Sequence, residues 1–196
     1  MSDDAPLILT VKFDDPGFER FQRMRKAHFP AAKNYIPAHL TLFHHLPGDR
    51  IDAVIAHLVE VASRQRPIPC RVSGLRFLGK GIAYEVDCHE LERLRADLAG
   101  HFYDALTAQD RQRIKPHVTI QNKADPVAAR TLYDVLESDF EPFPFEVTGL
   151  LLWRYRGGPW DPAGEFSFAH GRSDGQTRAG RREDAQSDGD ESRDPA

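Results

Sequence analysis

Residues 36–43 read I-P-A-H-L-T-L-F and residues 115–123 read K-P-H-V-T-I-Q-N-K. In both, a proline closely precedes an H-x-T-x run in which polar and apolar residues alternate. Alternation with period two is the signature of a strand with one buried face. His39 and Thr41 then share one face while Leu40 and Leu42 enter the core, and His117 and Thr119 repeat the pattern over Val118 and Ile120. A single H-x-T is common in strands. Two copies, each led by a proline, need a common cause.

The surroundings of the two runs are also alike. Glu19-Arg20-Phe21 reaches His28-Phe29 nine residues after the glutamate, and Glu92-Arg93-Leu94 reaches His101-Phe102 at the same interval. Helix, proline and H-x-T-x thus recur in order, which predicts two homologous lobes. Strands are expected at Leu7–Phe13, His39–His44, Ile68–Leu78, Ile82–Asp87, His117–Asn122, Phe143–Arg154 and Glu165–His170. Gly79-Lys80-Gly81 joins two of these as a hairpin. Helices are expected at Pro16–His28, Asp49–Arg64, Glu90–Leu106 and Pro126–Leu136, from apolar residues at three- and four-residue spacing. The predicted class is α+β: two pseudo-symmetric lobes of antiparallel sheet, with outer helices, around a central cleft.

If a pseudo-twofold relates the lobes, two imidazoles and two hydroxyls meet across that cleft. One neutral and one protonated imidazole on either side of a phosphodiester form a general base facing a general acid, since both forms are accessible near neutrality. The hydroxyls can donate to non-bridging oxygens as charge develops. No carboxylate or cysteine cluster stands at metal-ligand spacing, so neither metal nor cofactor is expected.

Composition narrows the class of partner. The 196 residues carry 26 Lys+Arg against 30 Asp+Glu, a net charge of −4. No overall basic field exists to hold long duplex nucleic acid, so the expected substrate is an RNA end or a small nucleotide. No apolar run approaches the ~20 residues of a membrane-spanning helix, and the acidic start M-S-D-D-A-P lacks the layout of a secretory signal. Cys70 and Cys88 are too few for a disulfide framework. A cytoplasmic monomer with reduced thiols is expected. Residues 171–196 contain no Val, Ile, Leu, Met, Phe, Trp or Tyr and read as a disordered tail after a bilobal domain over 1–170.

Further residues are candidates to bind substrate. Phe43 continues the His39–Thr41 face and could stack on a base; Gln121 holds the matching place in the second run. Lys115, Lys123, Arg113 and Arg154 could supply local positive charge. Tyr84, in G-I-A-Y-E-V-D, could reach the groove. Trp153 and Trp160 read as packing anchors, and Gly157-Gly158-Pro159 as a plain turn, with a loop that caps the groove as the alternative.

The twin runs, with L-W-R-Y-R-G-G-P-W at 152–160, resemble the 2H phosphoesterases, the 2′-5′ RNA ligase-like or HxTx family, and the last run is similar to one bacterial branch. The resemblance implies metal-independent hydrolysis of 2′,3′-cyclic phosphates on RNA ends or nucleotides, or alternatively making and breaking 2′-5′ RNA linkages. It also implies His39 as proton donor, His117 as proton acceptor, and Thr41 and Thr119 as phosphate-holding hydroxyls. Spacing alone does not set that order. A non-catalytic RNA- or nucleotide-phosphate-binding module remains the alternative of a different class.

Overall fold

The computed structural model describes residues 4–169; the expected tail at 171–196 lies outside them. Seven strands and four helices follow in the order β1 (Leu7–Phe13), α1 (Asp15–His28), β2 (Thr41–Leu46), α2 (Ile51–Arg64), β3 (Ile68–Phe77), β4 (Ile82–Asp87), α3 (His89–His101), β5 (His117–Gln121), α4 (Pro126–Ser138), β6 (Phe143–Arg154) and β7 (Asp161–Ser167). The class is α+β, as expected.

The two expected sheets are joined into one nearly closed antiparallel sheet. Its path is β2-β1-β6-β3-β4-β5, with β7 also on β6. The joint is the length of β6. Its first part, Phe143–Val147, pairs with β3, while Gly149–Arg154 pairs with β7 on the same edge and with β1 on the other. A long central strand therefore forks the sheet into two arms, and each arm ends in an H-x-T strand, β2 or β5. Apolar residues on one face of each strand, such as Leu9, Leu42, Val118, Val147 and Leu152, pack beneath the helices in a single core.

The helices do not stay with the repeat they come from. α1 follows β1 in sequence but lies on β5, whose backbone it reaches through Arg25. α3 follows β4 yet reaches β2 through Arg95. The halves are thus interleaved, and each motif strand is covered by a helix from the other repeat.

Several boundaries move by one or two residues. Among them, β2 runs Thr41–Leu46 rather than His39–His44, so His39 lies in the segment leading into the strand. Two boundaries move farther. α3 stops at His101, and a short 3-10 turn at Tyr103–Ala105 replaces the predicted last turn. β7 begins at Asp161 rather than Glu165 because β6 supplies a ready hydrogen-bonding edge to D-P-A-G. Pro162 is tolerated there, beside an irregularity in the β6–β7 ladder. Cys70 and Cys88 are buried free thiols. Among the described residues, no helix is long and apolar enough to cross a membrane.

Candidate active site

Both motif histidines are fixed by the same local device. His39 Nδ1 lies 2.8 Å from the carbonyl oxygen of Pro37, and His117 Nδ1 lies 2.9 Å from that of Lys115. A carbonyl oxygen only accepts, so Nδ1 carries the hydrogen in each ring and Nε2 is left as the nitrogen for proton exchange. Each imidazole thus bonds back two residues, which sets its tautomer and its orientation together.

The strands also share an irregularity immediately after the threonine. On β2, Thr41 pairs with Thr10 and Phe43 with Leu9, so the ladder shifts at Leu42. On β5, Thr119 pairs with Ala83 and Gln121 with Ile82, so it shifts at Ile120. A bulge puts two residues opposite one and re-aims the side chains that follow. Burial records the result: intermediate, buried, buried over Thr41-Leu42-Phe43 and again over Thr119-Ile120-Gln121.

This overturns three expectations. Phe43 is fully buried, its ring under the Arg95 guanidinium at 4.2 Å, and cannot stack on a base. Gln121 is buried as well, with Oε1 lacking a hydrogen-bond partner among the described residues, and it is not among the residues lining the two cavities at His39. Tyr84 pairs with Val118, on the helix-facing side, and packs against Phe143 and Phe21 at ring distances of 5.4 and 5.9 Å. The bulges account for the first two, and simple strand alternation for the third.

A bulge also leaves backbone groups without a ladder partner, which is costly where water is excluded. Two buried arginines take them. Arg25 Nη1 donates to the Thr119 carbonyl at 2.8 Å, and its Nε donates to Asn34 Oδ1 and the Ile36 carbonyl. Arg95 Nε donates to the Leu42 carbonyl at 3.4 Å, and its Nη2 to the Asp110 carbonyl. Farther along β2, the Asp110 carboxylate accepts from the backbone N–H of His44 and of His45, both at 2.9 Å. Burial alone would raise that carboxyl; the hydrogen bonds from His44 and His45 outweigh it and hold it below the usual range. The free edges of both arms are closed by side chains.

Arg25 ties the two arms together, since it bonds both the segment entering β2 and β5 itself. One cavity of about 280 Å³ is lined by His39, Thr119, Arg25, Lys123 and Trp160. Lys123, expected to bring positive charge, therefore stands at the site. It takes a left-handed backbone (φ 57°), and its carbonyl accepts from Lys33 Nζ at 3.1 Å. Lys115 contributes its carbonyl to His117, while its side chain is exposed. His117 is not among the residues lining this cavity, although a positive charge on it would lower His39. Thr41 is half-buried at the start of β2.

Sequence reasoning placed Trp160 among the packing anchors, yet its ring lies 4.7 Å from that of His39. Trp153 backs it at 6.1 Å and donates Nε1–H to Thr10 Oγ1. Gly157, at φ +86°, makes the turn that returns this loop over the cleft. Beside His39 lies a second hollow of about 330 Å³, lined by Tyr35, Trp153 and Trp160 with Thr10 and Lys12. Burial pushes the His39 imidazole down to about 4, against the raising effect of its hydrogen bond to the Pro37 carbonyl and with further lowering by Arg25 and His117. His39 is therefore neutral at pH 7 in the free protein. Among the described residues no three His, Cys, Asp or Glu side chains are placed to hold a metal ion.

Comparison with known proteins bears on this geometry. Residues 13–159 match the family described as the 2′-5′ RNA ligase superfamily. The fold is similar to that of TT0787 of Thermus thermophilus (TM-score 0.59, 17% identity, covering 83% of this chain and 97% of that one). It is also similar to apo E. coli LigT (TM-score 0.56, 17% identity, 85% and 99%) and to E. coli LigT complexed with 3′-AMP (0.54, 16%, 85% and 99%). No curated protein matches the sequence.

Proposed function

Since the chain belongs to the 2′-5′ RNA ligase superfamily, the 2H phosphoesterases, we propose that it hydrolyses a 2′,3′-cyclic phosphate on an RNA end or nucleotide by two-histidine acid–base catalysis. The observation that carries this reading is the matched pair of imidazoles, each with Nδ1 held by a carbonyl and Nε2 left for proton transfer.

In this reading water attacks phosphorus and gives its proton to Nε2 of His117. The bond from phosphorus to one ribose oxygen breaks, and that oxygen takes a proton from His39. The product is a ring-opened phosphomonoester, and exchange with solvent restores both rings. Thr41 and Thr119 hold the non-bridging oxygens. Each acid or base contributes about 10²–10⁴ in rate.

His39 must carry a proton to act as donor, although burial keeps it neutral in the free protein. A bound phosphodiester anion supplies the counter-charge that burial removed, so protonation accompanies binding. The nearby Arg25 lowers His39 when the site is empty and attracts the same anion. The aromatic hollow beside His39 suits the nucleoside attached to that phosphate.

The test is incubation of the purified protein with a 2′,3′-cyclic nucleotide in excess EDTA, with the product separated by ion exchange. Conversion to a nucleoside monophosphate is expected. No conversion, or conversion that EDTA abolishes, overturns the reading.

A further inference from the structure

A third cavity, of about 370 Å³, runs along the outer side of α3. Its helical wall advances through His89, Arg93, Ala96 and Gly100, a span of roughly 16 Å at 1.5 Å per residue. The segment after α3 forms the opposite wall, through Tyr103, Arg111 and Arg113. Small residues make the floor while cations and an aromatic ring stand at the rim.

The rim is unlike the rest of this acidic chain. Arg93 and Arg111 form no ion pair among the described residues. Arg113 faces Glu92 at 3.6 Å with its side chain 94% exposed, a geometry that holds little energy. The Tyr103 ring is 57% exposed, and the Arg111 guanidinium lies 5.1 Å from its centre. Exposed aromatic surface interleaved with free guanidinium groups is the chemistry that holds single-stranded nucleic acid: stacking for bases, positive charge for phosphates.

Position supports the same occupant. Arg113 precedes His117 by four positions, so their Cα atoms lie no more than roughly 14 Å apart. We propose that this groove binds the RNA strand on the 5′ side of the reacting terminal phosphate, with a base on Tyr103 and backbone phosphates on Arg93 and Arg111. The proposal rests on the cleft taking an RNA end, and it makes an oligonucleotide a better ligand than a mononucleotide.

The experiment uses the full chain and a fluorescein-labelled RNA octamer ending in a 3′-phosphate, which does not turn over. Anisotropy gives Kd across a salt series for the wild type and for R93Q/R111Q, both surface changes. Loss of two phosphate contacts should lower the slope of log K against log salt by about 1.4, at ~0.7 per contact on a single strand. Y103S should weaken binding and Y103F restore it. In parallel, kcat/KM for an octamer and for a mononucleotide, both ending in a 2′,3′-cyclic phosphate, gives their ratio. That ratio should fall in R93Q/R111Q. Equal salt slopes and an unchanged ratio overturn the groove and leave the cyclic phosphodiesterase standing. Octamer binding that depends on Arg93 and Arg111 without turnover of any cyclic phosphate keeps the groove and overturns the chemistry.

Discussion

β2 and β5 carry the same device in different surroundings. Each opens from or just after a histidine bonded back two residues and carries a threonine, a bulge, and a buried arginine from the other repeat's helix on a bulge-side carbonyl. Around β2, however, His39 lies against Trp160, and the strand's far N–H groups end on Asp110. Around β5, His117 stands opposite Glu85, and the strand leaves through the left-handed Lys123. In the proposed reaction the repeat supplies symmetric positions about the phosphorus atom. The unlike surroundings decide where a proton rests, and an acid–base pair needs that inequality.

The largest expected effect comes from breaking the pair. His39→Ala and His117→Ala should each lower kcat/KM on a cyclic nucleotide by ~10²–10⁴. An aryl phosphodiester with p-nitrophenolate as leaving group sharpens the comparison, because that group departs without a proton. On it, His39→Ala should recover most of its activity and His117→Ala should not. Equal impairment of both variants on the aryl ester would remove the assignment of donor and acceptor.

Next in size are the two arginines. Arg95 has a carboxylate neighbour and Arg25 does not: Asp110 favours the Arg95 charge, whereas burial alone acts on Arg25, bringing it down to about 10. Arg95→Met strands the Leu42 and Asp110 carbonyls and also removes a charge that the Asp110 carboxylate favours. That carboxylate keeps its bonds from His44 and His45, yet the change should cost more than Arg25→Met. Arg25→Met strands only neutral acceptors and should cost about 1–3 kcal/mol. Urea denaturation reads both, and equal losses would show that the edges are held alike.

These arginines also mark where the sequence stops being legible. β1, β4 and β6 fall on the expected residues because their apolar patterns admit no other register. The H-x-T positions were equally visible. Phe43 and Gln121 were misplaced because a bulge is a property of two strands, and neither sequence records its partner's register. Trp160 depends on how a loop returns, which local composition leaves open. Arg25 and Arg95 did leave a trace. Arg25 follows Phe18 and Phe21 by seven and four residues, and Arg95 follows Leu91 by four and precedes Leu98 by three. A guanidinium on an inward stripe must find acceptors inside, and here it finds the carbonyls that the bulges release.

The depressed His39 gives a smaller, pH-dependent effect. Between pH 4 and 6.5 the unfolded chain protonates this ring and the native state does not, so stability is full above about 6.5 and falls as pH drops toward 4. The whole loss is at most about 3–4 kcal/mol, at 1.36 kcal/mol per unit. His39→Gln should flatten that part of the stability–pH curve measured by urea denaturation. An unchanged curve would mean that the ring is not kept neutral by folding.

The smallest effect isolates the cause of the asymmetry. If the Trp160 ring excludes water from His39, Trp160→Ala should raise the His39 value from about 4 toward 6.5, by about one unit. The Cε1 proton signal in an NMR titration reads this directly, and Trp160→Phe should move it less. Strand, bulge and Arg25 are untouched by the change, so a shift assigns the inequality to the loop that caps β2. An unmoved value would transfer it to the strands, and the unlike surroundings would then be incidental to the chemistry.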